Sequence, residues 1–118
     1  MQRDWLLYAD DILENIEILE GIRSEIPTLD QLSENPRLVS ACERCLEING
    51  EAAKHLPTDI REKHSAVPWR NIIGMRDILA HGYFAVSHAV IWDTMNNDLG
   101  ILKAAAETML ASSGEKES

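Results

Sequence analysis

Arg76, Asp77, His81 and Tyr83 fall within one eight-residue segment, Arg76-Asp77-Ile78-Leu79-Ala80-His81-Gly82-Tyr83. Arginine presents a planar fork that fits phosphate, and it keeps its charge at any accessible pH. Histidine takes or gives a proton near neutrality. Together they suit cleavage of an RNA phosphodiester by the neighbouring 2′-hydroxyl. The imidazole would act as base or acid, and the guanidinium would stabilise charge on a phosphorane-like transition state. This chemistry requires no metal, and the sequence offers no carboxylate cluster suited to Mg²⁺. Asp77 and His81, four positions apart, share one helical face. A carboxylate there could hold the imidazole in one tautomer. Arg76 and His81, five positions apart, are offset by about 140° on an ideal helix. A reaction using both therefore needs a fraying last turn or a second copy of the helix across a two-fold axis. The second arrangement supplies two arginines and two histidines to one cleft. As simple punctuation, the same residues form a cap. A cationic histidine near a helix C-terminus is favourable on dipole grounds alone, and Gly82 suits a left-handed C-cap.

The elements that must position this segment are helical throughout. Trp5, Ala9, Ile12, Ile16 and Leu19 form the apolar stripe of a first helix, which decays at Gly21 and Pro27. Thr28 and Gln31 have capping-box spacing and predict a short turn over 28–33. Asn35-Pro36 opens a second helix, Asn as cap and Pro at the first helical position. Leu38, Ala41, Cys45, Ile48, Ala52 and Leu56 trace its stripe, and Pro57 closes it. Residues 58–67 read as a polar connection. Pro68 opens a third helix, with Trp69, Ile72, Met75 and Leu79 on one face, ending at Gly82. Ser87 caps a fourth, carried by Ile91, Met95, Leu99, Leu102, Ala106 and Met109. No alternating strand pattern competes. The expected fold is all-α, an antiparallel bundle of four to five helices. Residues 1–111 form one domain, and residues 112–118 form a flexible polar tail.

Length and charge bound the function. A chain of 118 residues fits one domain. The Met-Gln-Arg-Asp-Trp start has no apolar run before a small-residue cleavage site, so a cytoplasmic location without membrane insertion is expected. Net charge is −9, which argues against broad nonspecific nucleic-acid binding and against DNA as a partner. The distribution is uneven. Residues 1–53 carry a net −8 and residues 89–118 a net −3, whereas 54–88 carry +2. That locally basic third holds Lys63, Arg70 and Arg76, and any anionic ligand belongs there. Lys63 and Arg70 are candidate RNA or phosphate contacts. A narrow basic cleft on an acidic body is expected, and the acidic surface could instead dock a basic partner protein. Cys42 and Cys45 lack the second pair of a four-ligand zinc site and read as buried thiols one helical turn apart. Trp69 and Trp92 read as packing anchors, His64 and His88 as surface histidines, and Glu51 as partly buried and paired.

The pattern Arg76-(four residues)-His81-Gly82-Tyr83 resembles the signature of the HepT family of HEPN-domain toxins. The stretches Ile48–Pro57, Val67–Phe84 and Ile91–Ala104 fall in the order and spacing of that family, so the resemblance covers roughly residues 4–110. It implies a homodimeric HEPN bundle whose Arg-x4-His motifs line a shared cleft. It also implies a metal-independent endoribonuclease toxin needing no cofactor, encoded beside a minimal nucleotidyltransferase antitoxin. On this resemblance Arg76 and His81 are the catalytic pair, with Asp77 in support. Tyr83 matches the tyrosine that the partner silences by attaching AMP, which adds negative charge and bulk beside an anion-binding cleft. The alternative is a non-catalytic HEPN module that binds nucleotides or serves as a scaffold for the nucleotidyltransferase.

Overall fold

The computed structural model describes residues 4–81 and 84–117; the side chains of residues 80, 81, 84–87 and 113–117 lie outside that description. Eight helices and no strand occur among the described residues. They are α1 (Trp5–Glu25), α2 (Leu29–Ser33), α3 (Pro36–Lys54), α4 (Thr58–Lys63), α5 (Trp69–Ile73), α6 (Met75–His81), α7 (Phe84–Asn97) and α8 (Leu99–Glu117). The fold is all-α, as the periodicity predicts. None of the helices is long and apolar enough to cross a membrane.

The helix starts follow from local chemistry. The Asp4 carboxylate accepts from the Leu6 amide at 3.1 Å and caps α1. The Thr28 hydroxyl accepts from the Gln31 amide at 3.2 Å and starts α2, at the predicted turn. The Asn35 side chain accepts from the Leu38 amide at 3.2 Å, and Pro36 stands at the first position of α3.

The long helices pack through one continuous apolar core. Ile12, Ile16 and Leu19 of α1 are fully buried beside Cys42 and Leu46 of α3 and Leu99, Leu102 and Met109 of the C-terminal helices. α1 and α3 run antiparallel, since Tyr8 near the start of α1 stacks on His55 just past the end of α3. α7 and α8 together run antiparallel to α1. Asn96 bonds Arg23 at 2.8 Å, Lys103 bonds Glu20 at 3.0 Å, and Met109 shares a groove with Leu6. The Arg23 guanidinium also lies 4.4 Å from the centroid of the Trp92 ring and fastens α1 to α7.

Three expectations about boundaries need correction. The third helix is not continuous: Gly74 divides it into α5 and α6. The connection over 58–67 contains α4, pinned where the Trp69 indole N–H donates to the Arg61 and His64 carbonyls, each at 3.0 Å. The fourth helix starts at Phe84 rather than after Ser87, and Asp98 breaks it into α7 and α8.

Just before the division at Gly74, α5 lies unusually close on α3. Gly50 of α3 presents no side chain to α5, and the Ile72 carbonyl oxygen lies 2.7 Å from where a Cβ would stand. The α5 backbone therefore sits directly on α3. α6 starts afresh at Met75, whose side chain is buried.

Candidate functional site

α6 carries Arg76 at its second position, and Met75 and Leu79 bury its inner face. The Arg76 side chain points outward, 72% exposed. It borders an open groove of about 410 Å³ between α1, α3 and α6, lined by Tyr8, Asp11, Arg44, Glu47, Glu51 and Arg76. The groove differs from the basic cleft expected from the charge distribution. Two guanidinium groups share it with three carboxylates.

The geometry around Arg76 centres on Glu51. One carboxylate oxygen lies 3.9 Å from Arg76 Nη1 and the other lies 3.4 Å from His55 Nε2. Glu51 is half exposed at 51% and paired, as its reading from the sequence has it. His55 is four positions further along, and its ring stacks on Tyr8 with centroids 4.7 Å apart and planes 15° apart. Arg76, Glu51, His55 and Tyr8 thus form one linked row drawn from three parts of the chain. At 3.9 Å the Arg76–Glu51 contact is an ion pair, not a hydrogen bond. In this solvated setting such a pair contributes about 0–1 kcal/mol to folding.

The other sequence candidates are distributed as follows. Asp77 is exposed on α6 beside Arg76. Arg70 is exposed on α5. Lys63 is exposed but lines separate grooves with His64, between the α4 link and α8, which share no lining residue with the Arg76 groove. The backbone of His81 closes α6. Its side chain, with Gly82 and Tyr83, lies outside the described residues. His88 is buried at 3% exposure rather than at the surface, with Nδ1 2.9 Å from the Ser33 hydroxyl.

Tyr8, Asp11, Arg44, Glu47 and His55 had no signal that joined them to the segment at 76–83. The Glu51–His55 spacing of four was readable, but its link to Arg76 depends on α6 docking on α3. The cysteines match their reading as buried thiols. Burial, followed by the neighbouring Cys45 and Glu43, pushes the Cys42 thiol up to about 12. Cys45 is raised as well, by burial. The Cys42 sulfur lies 3.9 Å from the Met95 sulfur in the core. Trp69 and Trp92 both pack against that core, as anchors should.

Comparison with known proteins places the chain, by its sequence, in a family. The family model described as ribonuclease HepT-like matches residues 12–109. A protein of Caldanaerobacter subterraneus named as a candidate RNase is 40% identical over 104 residues, 87% of this chain and 91% of its own. A protein of Thermococcus cleftensis named as a candidate HepT ribonuclease is 39% identical over 109 residues, 92% of this chain and 98% of its own. A longer Methanocaldococcus jannaschii protein, named for a gamma-glutamylcyclotransferase and a candidate RNase, is 38% identical over 103 residues, 87% of this chain and 46% of its own. No solved structure gives a significant match.

Proposed function

The chain belongs to the ribonuclease HepT-like family, and from that premise we propose that it is an endoribonuclease using Arg76 and His81. The carrying observation is the Arg76 guanidinium, 72% exposed at the edge of an open groove. Its fork can take two phosphate oxygens at once. The 2′-hydroxyl loses its proton as its oxygen attacks phosphorus. The P–O5′ bond breaks, and the leaving oxygen takes up a proton. The products are a 2′,3′-cyclic phosphate and a 5′-hydroxyl. His81 serves one proton transfer as base or acid. Arg76 stabilises the charge that gathers on the phosphoryl oxygens. The 140° offset of Arg76 and His81 on one helix favours a cleft formed by two copies of the chain, in which each motif faces the other.

Within this reading the protein is the toxin of a toxin–antitoxin pair. A nucleotidyltransferase antitoxin would silence it by transferring AMP to Tyr83. The added phosphates repel RNA, and the adenosines fill the entrance.

The test is incubation of purified protein with total RNA in EDTA. Wild type should cut, whereas Arg76→Ala and His81→Ala should lose cleavage and growth inhibition while keeping the helical circular dichroism signal. Cleavage at the wild-type rate by either variant overturns the assignment. Nucleotide binding with no cleavage by wild type marks a non-catalytic module. Tyr83→Phe should remain active and escape AMP transfer; mass spectrometry that finds AMP on another residue removes Tyr83 from the scheme.

A further inference from the structure

Glu51 is a charged group next to Arg76 to which the cleavage chemistry above gives no part. Its two oxygens face different partners, Arg76 Nη1 at 3.9 Å and His55 Nε2 at 3.4 Å. His55 is itself held by the Tyr8 ring at 4.7 Å. The carboxylate thus spans both partners, one oxygen to each. The preceding residue, Gly50, seats the α5 backbone against α3, with the Ile72 carbonyl oxygen 2.7 Å from an added Cβ position. Two adjacent residues of α3 therefore address both ends of the arginine. Gly50 docks the chain that leads into α6, and Glu51 faces the guanidinium.

We propose that Glu51 is the positioning residue for Arg76, holding the guanidinium at the groove so that its remaining donors meet the scissile phosphate. The inference rests on the nuclease reading above. An arginine 72% exposed samples many rotamers when nothing restrains it. Restraining it before RNA arrives removes that ordering cost from the transition state. The guanidinium has five N–H donors. A carboxylate beside one nitrogen leaves the others for phosphate oxygens. The ion pair itself adds little to folding, so its removal should leave the helices in place, and an effect on cleavage can be read separately from one on stability.

The experiment compares steady-state cleavage of a defined RNA oligonucleotide by wild type, Glu51→Gln, Glu51→Asp, Arg76→Lys and the double variant E51Q/R76K. Thermal melts are run alongside. Misplacing a reacting group by about 1 Å lowers rates by up to about 100-fold. Glu51→Gln is thus expected to lower kcat about 10- to 100-fold, with KM moving less than about threefold and the melt unchanged. Glu51→Asp should recover part of the loss. On the Arg76→Lys background, Glu51→Gln should add less than about twofold, because the two residues act as a unit. Two results overturn the proposal. Glu51→Gln cutting as fast as wild type or faster would mean that the carboxylate only screens Arg76. Effects of E51Q and R76K that multiply would mean that they act independently. Failure of the nuclease reading looks different: wild type itself leaves the RNA intact.

Discussion

Gly50→Ala tests whether the close seat of α5 on α3 is required. The new methyl would stand 2.7 Å from the Ile72 carbonyl oxygen and 3.4 Å from that of Ile73. Both neighbours are backbone, so no side chain can turn away, and α5 must shift. Overpacking of this kind costs about 1–3 kcal/mol. Alanine in a helix interior recovers about 0.5–1 kcal/mol relative to glycine. The expected net loss is about 1 kcal/mol, the middle of a span of about 0–2.5 kcal/mol. For a domain of this size, that lowers Tm by about 4 °C. The matched control is Gly21→Ala in α1, where an added Cβ has no neighbour within 4 Å. There only the helix term remains, and the melting temperature should rise by a few degrees. Both variants can be followed by circular dichroism on heating. Cleavage should also fall in Gly50→Ala, because α6 and Arg76 move with α5. The reasoning fails if Gly50→Ala melts at or above wild type while Gly21→Ala behaves as stated.

Two further expectations concern the core and the helix contacts. With its folded-state value near 12, the Cys42 thiol should resist alkylation by iodoacetamide at neutral pH and react once the chain is unfolded; rapid labelling of native protein would contradict the burial. The thiol keeps its proton in the folded chain after the unfolded chain has lost it. Its contribution to stability is therefore complete below about 9 and is lost as pH rises toward about 12, a slope that Cys42→Ala should flatten in alkaline melts. Arg23→Ala removes the Trp92 contact and the bonds to Asn96 and the Ile26 carbonyl, and should lower stability by about 1–2 kcal/mol in urea titrations; an unchanged midpoint would show that this link between α1 and α7 contributes nothing.

Local signals were legible wherever a side chain acts within a few residues of itself. The Thr28 cap, the Asn35-Pro36 start and the stripe of α1 lie where spacing placed them, whereas the buried face of α3 centres on Val39, Cys42, Leu46, Asn49 and Ala53, one residue round from the predicted stripe, and leaves Leu38, Ala41 and Ile48 only partly buried. The break at Gly74 did not show, because Ile72, Met75 and Leu79 keep helical spacing and stay buried across it. The break at Asp98 left Ile91, Met95, Leu99 and Leu102 in unbroken register and buried, so periodicity carried no trace of it. α4 is too short for a stripe and exposes most of its residues. At the candidate site, the reactive types at 76–81 were readable, whereas the row Arg76–Glu51–His55–Tyr8 exists only once α1, α3 and α6 are assembled. The buried His88 was misread for the same reason. Its partner Ser33 comes from α2, far away in sequence.

The shortness of α6 has a consequence for how the protein could be switched. Seven residues cannot sustain a helix in water on their own. α6 persists because Met75 and Leu79 dock against the bundle. Its opening is thus a local event whose free energy lies below that of global unfolding. Amide hydrogen exchange would register it as faster exchange at Arg76–Leu79 than at the buried turns of α1 and α3. A ligand or partner that captured the opened segment would remove the arginine from the groove and leave the bundle folded. The same segment would thus supply the reactive guanidinium and the means of withdrawing it.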